Sequence, residues 1–207
     1  MDEETQSHGG PIRCATVYAS SSNALHPDYY RDAEQVGAIL GGAGIEIRYG
    51  GGGVGLMRAM ADAAMARGGH VHGVIPDFLN TVEHGHKALP KLDVVRTMAE
   101  RKQKMLEGSN AVVALPGGSG TLEELFEVLT LKRLGQFLGP VVLVNTRGYY
   151  DRCVAFLQYS IDERFMSAEH LKMWSVINDP AALLEAFDKA PGWSASARSM
   201  AAVRGQG

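Results

Sequence analysis

The chain has 207 residues, 45% hydrophobic, 21% charged and 7% aromatic, with a formal net charge of −3. That size and balance fit one ordinary globular domain and exclude large multidomain enzymes and disordered chains. Dispersed Lys and Arg on a slightly acidic background exclude a duplex nucleic-acid or anionic-membrane footprint, and leave room for a small anionic ligand.

Residues 1–10 are polar and start with Asp2, Glu3 and Glu4, not with a basic, then apolar, leader. No run approaches the ~18 apolar residues of a membrane span, so a cytoplasmic protein without membrane contact is expected. The body is expected over 11–190, with 1–10 as a disordered N-terminal tail and the Gly-, Ser- and Ala-rich 191–207 as a flexible C-terminal one. Within it, strand-like runs at 14–19, 45–49, 71–75, 93–95, 111–115 and 141–145 alternate with helical patterns at 28–41, 54–67, 98–108, 121–134, 149–163 and 180–189. Pro180 stands at a helix start, where its missing N–H costs least. The runs at 112–115 and 141–144 are apolar on both faces, as in a parallel sheet covered on each side. The expected fold is α/β: a single-domain, Rossmann-like, doubly wound parallel sheet with helices on both faces. Such sheets bind ligands outside the carboxyl ends of their strands. Cys14 and Cys153 have no CxxC or metal-ligand spacing and read as buried free thiols.

The 25 glycines are about 12% of the chain, against roughly 7% in average usage. Eight of them fall in two strand-to-helix loops, one with Gly50, Gly51, Gly52, Gly53 and Gly55, the other with Gly117, Gly118 and Gly120. Glycine lets backbone approach a ligand closely, and the helix that follows offers unpaired N–H groups, so both loops are candidate phosphate cradles. Gly50, Gly52 and Gly55 also satisfy G-x-G-x-x-G, with Asp77 placed 22 residues on, which keeps a dinucleotide site open. Neither loop continues into Gly-Lys-Ser/Thr, so a Walker A site is excluded.

On a helical wheel of 121–134, Leu122, Leu125, Phe126, Val128, Leu129 and Leu131 form one apolar arc with Glu124 inside it. Glu123 and Glu127 fall on the polar side, and Lys132 and Arg133, in the last turn, are expected to reach solvent. A carboxylate placed as Glu124 is costs several kcal/mol to bury without a partner. The preceding helix repeats the anomaly, with Arg101 and Lys102 among Met98, Met105 and Leu106, as at a ligand-facing corner.

These residues resemble the LOG family of cytokinin riboside 5′-monophosphate phosphoribohydrolases, long described as lysine decarboxylases. Its P-G-G-x-G-T-x-x-E motif stands as Pro116-Gly117-Gly118-Ser119-Gly120-Thr121-Leu122-Glu123-Glu124, and its M-H-E-R-K motif as Met98-Ala99-Glu100-Arg101-Lys102. Tyr49 to Gly52, Val54 to Met57, Gly73 to Pro76 and Gly148-Tyr149-Tyr150 are further landmarks, so the resemblance covers nearly the whole body. It implies hydrolysis of a nucleoside 5′-monophosphate to free base and ribose 5-phosphate, with Arg101 and Glu124 catalytic and Arg101 holding Glu124 in place. It also implies phosphate binding by Gly117, Gly118, Ser119, Gly120 and Thr121, and a nucleoside pocket lined by Ser21, Glu83, Met98 and Lys102. No cofactor or metal is implied, and a homodimer is. Ser20, Ala99, Leu131 and Arg133 depart from the residues common in the family, which leaves the preferred base open. The rival from another class is a nucleotide or cofactor carrier that binds without hydrolysis.

Two other constellations carry less. Gly85-His86-Lys87 suggests a pyridoxal phosphate lysine only superficially, since that chemistry belongs to much larger two-domain chains. His70 with His72 and His84 with His86 lack the third ligand of a metal site and read as surface or ligand-edge residues.

Overall fold

The computed structural model describes residues 10–82 and 84–200, apart from the side chain of Met200. Its strands are β1 (Cys14–Tyr18), β2 (Glu46–Tyr49), β3 (Val71–Pro76), β4 (Lys91–Val95), β5 (Ala111–Ala114), β6 (Val141–Val144) and β7 (Ser175–Ile177). Its helices are α1 (Pro27–Gly42), α2 (Gly55–Ala66), a short α3 (Asp77–Asn80), α4 (Met98–Leu106), α5 (Ser119–Arg133), α6 (Asp151–Asp162) and α7 (Leu183–Lys189). The strands form one sheet in the order β4-β3-β2-β1-β5-β6-β7, parallel throughout, which is the doubly wound arrangement expected. The sequence pattern does not reveal β7, because three residues are too few to show a period. It extends the sheet by pairing Ser175 with Val142.

Alternation along each strand splits the core in two. Val17 and Ile47 face α1, α2 and α7 on one side of the sheet, while Tyr18, Val112 and Leu143 face α4, α5 and α6 on the other. Each aliphatic side chain so buried contributes about 1.5–3 kcal/mol. The outer strand β4 carries Lys91 and Asp93, polar residues that blunt an edge against further pairing.

Two expectations need correction. Lys132 does not reach solvent: it is 1% exposed, with Nζ donating to the carbonyls of Leu138 (3.4 Å) and Gly139 and lying 5.6 Å from the Trp193 ring centre. The ordered body also continues past 190. Trp193 is buried, its indole N–H donates to the Lys132 carbonyl (2.6 Å), and a 3₁₀ turn over Ala195–Met200 follows. The apolar cover that Trp193 gives the end of α5 explains both corrections. Among the described residues, no helix is long and apolar enough to cross a membrane.

The strand order reverses between β1 and β5, since the chain leaves β1 toward β2 and leaves β5 toward β6. The loops after these two strands therefore diverge and open a crevice at the carboxyl edge of the sheet.

Candidate active site

That crevice is a cleft of ≈ 380 Å³. Its walls include Ser20, Ser21 and Ser22 of the β1–α1 loop and Gly118, Ser119, Gly120 and Thr121 of the turn into α5, and the lining also includes Met57, Met98, Tyr18 and the buried Arg101 and Glu124.

The start of α5 leaves its leading amides without a side-chain cap. Gly118 precedes the helix in an extended conformation, and these amides point outward. A Cβ at Gly118 or Gly120 would meet nothing within 4 Å, so the room these glycines leave belongs to the cleft and not to the protein interior. One turn further in, Glu124 is 7% exposed and lines the same cleft, as its wheel position predicts. The same cleft is lined by Tyr18, whose phenol is held neutral, its pKa pushed well above the usual value by burial and then by the charges of Glu124, Glu127 and Glu123.

Arg101 enters from the first turn of α4. That turn is fixed by a reciprocal cap, with the Glu100 amide donating to Thr97 Oγ1 (3.1 Å) and the Arg96 amide to Glu100 Oε2 (2.8 Å). Arg101 is 6% exposed, and its guanidinium donates from Nε to the Val74 carbonyl (3.2 Å) and from Nη2 to the Gly50 carbonyl (2.8 Å). Any Cβ at position 50 would collide with Nη2, so Gly50 is what lets the cation lie on the β2–α2 loop. The contacts that orient Arg101 therefore include two backbone carbonyls on neighbouring loops and strands.

The first glycine loop differs from the expectation of a second cradle. Of its five glycines only Gly50 lines the cleft. The Gly55 amide donates to Asn23 Oδ1 (2.9 Å), and those of Leu56 and Met57 donate to the Ser20 carbonyl (2.9 and 3.3 Å). The N-terminus of α2 is thus filled by protein, which removes the dinucleotide reading. Gly51 packs on the Leu92 and Ile75 side chains, Gly53 donates to the His84 carbonyl, and Gly52 bridges to Gly85. Asp77 is exposed at the start of α3.

The remaining expected residues divide. Ser21 and Met98 line the cleft. Lys102 does not; its Nζ pairs with Glu123 Oε1 (2.5 Å) and Glu127 Oε2 (3.0 Å), tying α4 to α5 and raising the lysine pKa. Gly117 lies just behind the wall, packed against the Thr121 side chain. Glu83 lies outside the described residues. Tyr18 at the end of β1, Ser20 and Ser22 in the loop after it and Met57 in the first turn of α2 are not among the expected site residues, although all line the cleft. His72 faces Asp93 (3.1 Å) and His86 faces Asp62 (2.8 Å), and among the described residues no three metal-type ligands converge.

Residues 57–187 match the family described as "Possible lysine decarboxylase". A cytokinin riboside 5′-monophosphate phosphoribohydrolase of Arabidopsis thaliana is 40% identical over 165 residues, 80% of this chain and 75% of that protein. One from Oryza sativa subsp. japonica is 37% identical over 171 residues, 83% of this chain and 70% of its own. Among solved structures, the molybdenum cofactor carrier protein of Chlamydomonas reinhardtii superposes with a TM-score of 0.66 over 87% of this chain and 98% of its own, at 20% identity, a likeness of fold alone. With that match and relatives at such identity across most of its length, the protein belongs to the LOG family, whose shared profile carries the lysine decarboxylase description.

Proposed function

We propose that the protein hydrolyses the N-glycosidic bond of a nucleoside 5′-monophosphate to free base and ribose 5-phosphate. Cytokinin riboside 5′-monophosphates, named for its relatives, are the first substrate candidates, with AMP as the second. The observation that carries this reading is Glu124, an acid buried one turn inside a helix whose uncapped first amides face the same cleft.

The amides of Ser119, Gly120 and Thr121 take the 5′-phosphate, helped by the α5 dipole and the Ser21 side of the cleft. A phosphate held there sets the ribose against Glu124. As the C1′–N bond lengthens, positive charge grows on the ribose ring and the Glu124 carboxylate stabilises it. The same group orients a water, whose oxygen bonds to C1′ while its proton passes to the departing base. Arg101, fixed by the Gly50 and Val74 carbonyls, positions the substrate and steadies the acid, and Met57 and Met98 offer apolar surface to the base. Water is the one co-reactant the reaction needs.

The same reading takes the body from residue 11 through the Trp193 cover as one catalytic domain, in a cytoplasmic homodimer. Exposed aromatics in and just after α6, Phe156, Tyr159 and Phe165, support a subunit contact, and two free cysteines suit a reducing compartment. The decisive experiment is incubation with AMP and with isopentenyladenosine 5′-monophosphate, followed by assay of ribose 5-phosphate and free base. Both products are expected, and their relative rates rank the bases. A carrier has no use for an acid beside the ribose, so tight binding without release of product overturns the enzyme reading.

A further inference from the structure

A second cavity, of ≈ 320 Å³, adjoins the cleft and has no part in the reaction above. The two share Ser20, Ser22 and Gly118, so they meet at the phosphate-binding turn. Glu124, Arg101 and Met98 border only the first; Leu25, Tyr29 and Tyr149 border only the second. The second cavity therefore adjoins the proposed phosphate site on a side that Glu124 and Arg101 do not line. It also lies on the side where the chain turns from β5 toward β6, the other half of the crevice at which the strand order reverses.

Its aromatic wall is held in advance. Tyr29 and Tyr149 meet edge to face with ring centres 6.4 Å apart, and Tyr150 meets Tyr149 the same way at 5.1 Å. The Tyr149 hydroxyl donates to the Gly117 carbonyl and that of buried Tyr150 to the Leu115 carbonyl (2.8 Å), so both rings are tied to the strand and turn that present the phosphate site. Rings fixed in this way lose little freedom when a ligand packs on them.

We propose that this cavity is a second ring subsite, which takes an aromatic group carried on the far side of the 5′-phosphate. The protein then binds nucleoside 5′-diphosphates that bear a second nucleoside or comparable ring. The phosphates sit at the α5 N-terminus, one nucleoside lies against Glu124, and the other ring rests between Leu25 and the Tyr29–Tyr149 pair. The inference rests on the phosphate position assigned under the proposed function.

Calorimetric titration of the full chain carrying Glu124→Gln, which blocks turnover, tests it with AMP, ADP and 5′,5′-diadenosine diphosphate. The dinucleotide is expected to bind about tenfold more tightly than ADP, a ring-stacking contribution. Leu25→Trp, which fills the cavity, and Tyr29→Ala, which removes one ring, are each expected to abolish that gain and leave AMP affinity within about twofold. Thermal melting of both variants identifies any that fails to fold, and the other then decides. A dinucleotide no tighter than ADP, or a gain that survives the well-folded variants, overturns the second subsite and leaves the phosphoribohydrolase reading standing. Failure of AMP and ADP to bind at all overturns both, because the shared phosphate anchor is then absent.

Discussion

The starts of α2 and α5 look alike in the sequence, each a glycine-rich turn between a strand and a helix, and they do opposite things. At α2 the leading amides are taken by Asn23 and the Ser20 carbonyl, and a Cβ on Gly55 would lie 2.5 Å from the Ser21 carbonyl carbon. At α5 no side chain caps the helix, and the space beside Gly118 and Gly120 is open. Glycine makes room for protein in one turn and borders open cleft in the other. The two are still coupled, because the loop seated on α2 is the serine wall of the cleft that α5 completes.

Glu124→Gln gives the sharpest test of that division. It keeps the shape of the side chain and removes the charge next to the proposed ribose site, so kcat for ribose 5-phosphate release is expected to fall about 10³-fold, with KM and the melting temperature little changed. A loss under about tenfold would show that the α5 end binds substrate without catalysing.

The far end of α5 yields the next largest effect. Burial pushes the Lys132 ammonium down to about 8 from its ordinary 10.5. Between those values the unfolded chain holds a proton that the folded chain has released, so stability contributed at this site rises with pH across the window. Complete titration is worth about 3 kcal/mol. Chemical denaturation at pH 7.5 and 10 should show this rise in the wild type relative to Lys132→Met, whose side chain cannot titrate. Parallel pH dependence of the two proteins would contradict the cause assigned to the shift.

Much of this was readable beforehand wherever a residue type conflicts with its position. Glu124 and Arg101 stood out because charges interrupted apolar arcs, and both prove buried at one cleft. Lys102 interrupted its arc in the same way, yet its partners Glu123 and Glu127 lie on the next helix, and a single-helix wheel cannot show a contact between helices. Lys132 was misplaced because its cover, Trp193, is 61 residues away along the chain. The parallel sheet was legible from two-faced apolar runs, whereas β7 was too short and the filling of the α2 N-terminus depends on Asn23, 32 residues upstream of the amide it caps. Local pattern reports what a residue needs, and tertiary structure decides which partner supplies it.

A paired substitution probes the two turns directly. Gly120→Asp adds a carboxylate in the first turn of α5, where the dipole favours it and an added Cβ meets nothing within 4 Å, so thermal stability is expected to hold or rise slightly. The same charge opposes a bound phosphate, and KM is expected to rise at least about tenfold. Gly55→Ala places a Cβ on a residue with φ +62 against the Ser20–Ser22 backbone, and is expected to cost about 2 kcal/mol of stability. Binding loss without stability loss at α5, and stability loss at α2, is the signature of the division; the reverse pattern would undo it.

Asn23→Ala is the mildest perturbation and separates the two roles most finely. Loss of a side-chain cap from the Gly55 amide is expected to cost about 1 kcal/mol, or roughly 3 °C in melting temperature for a chain of this size. If the α2 terminus is support, freeing that amide gives an anion nothing to use, because the Ser20 carbonyl still occupies the next two. Phosphate and AMP affinities then stay within about twofold of wild type. If the terminus is a latent ligand site, uncapping it should strengthen phosphate binding while stability falls, and titration of the variant with inorganic phosphate tells the two apart.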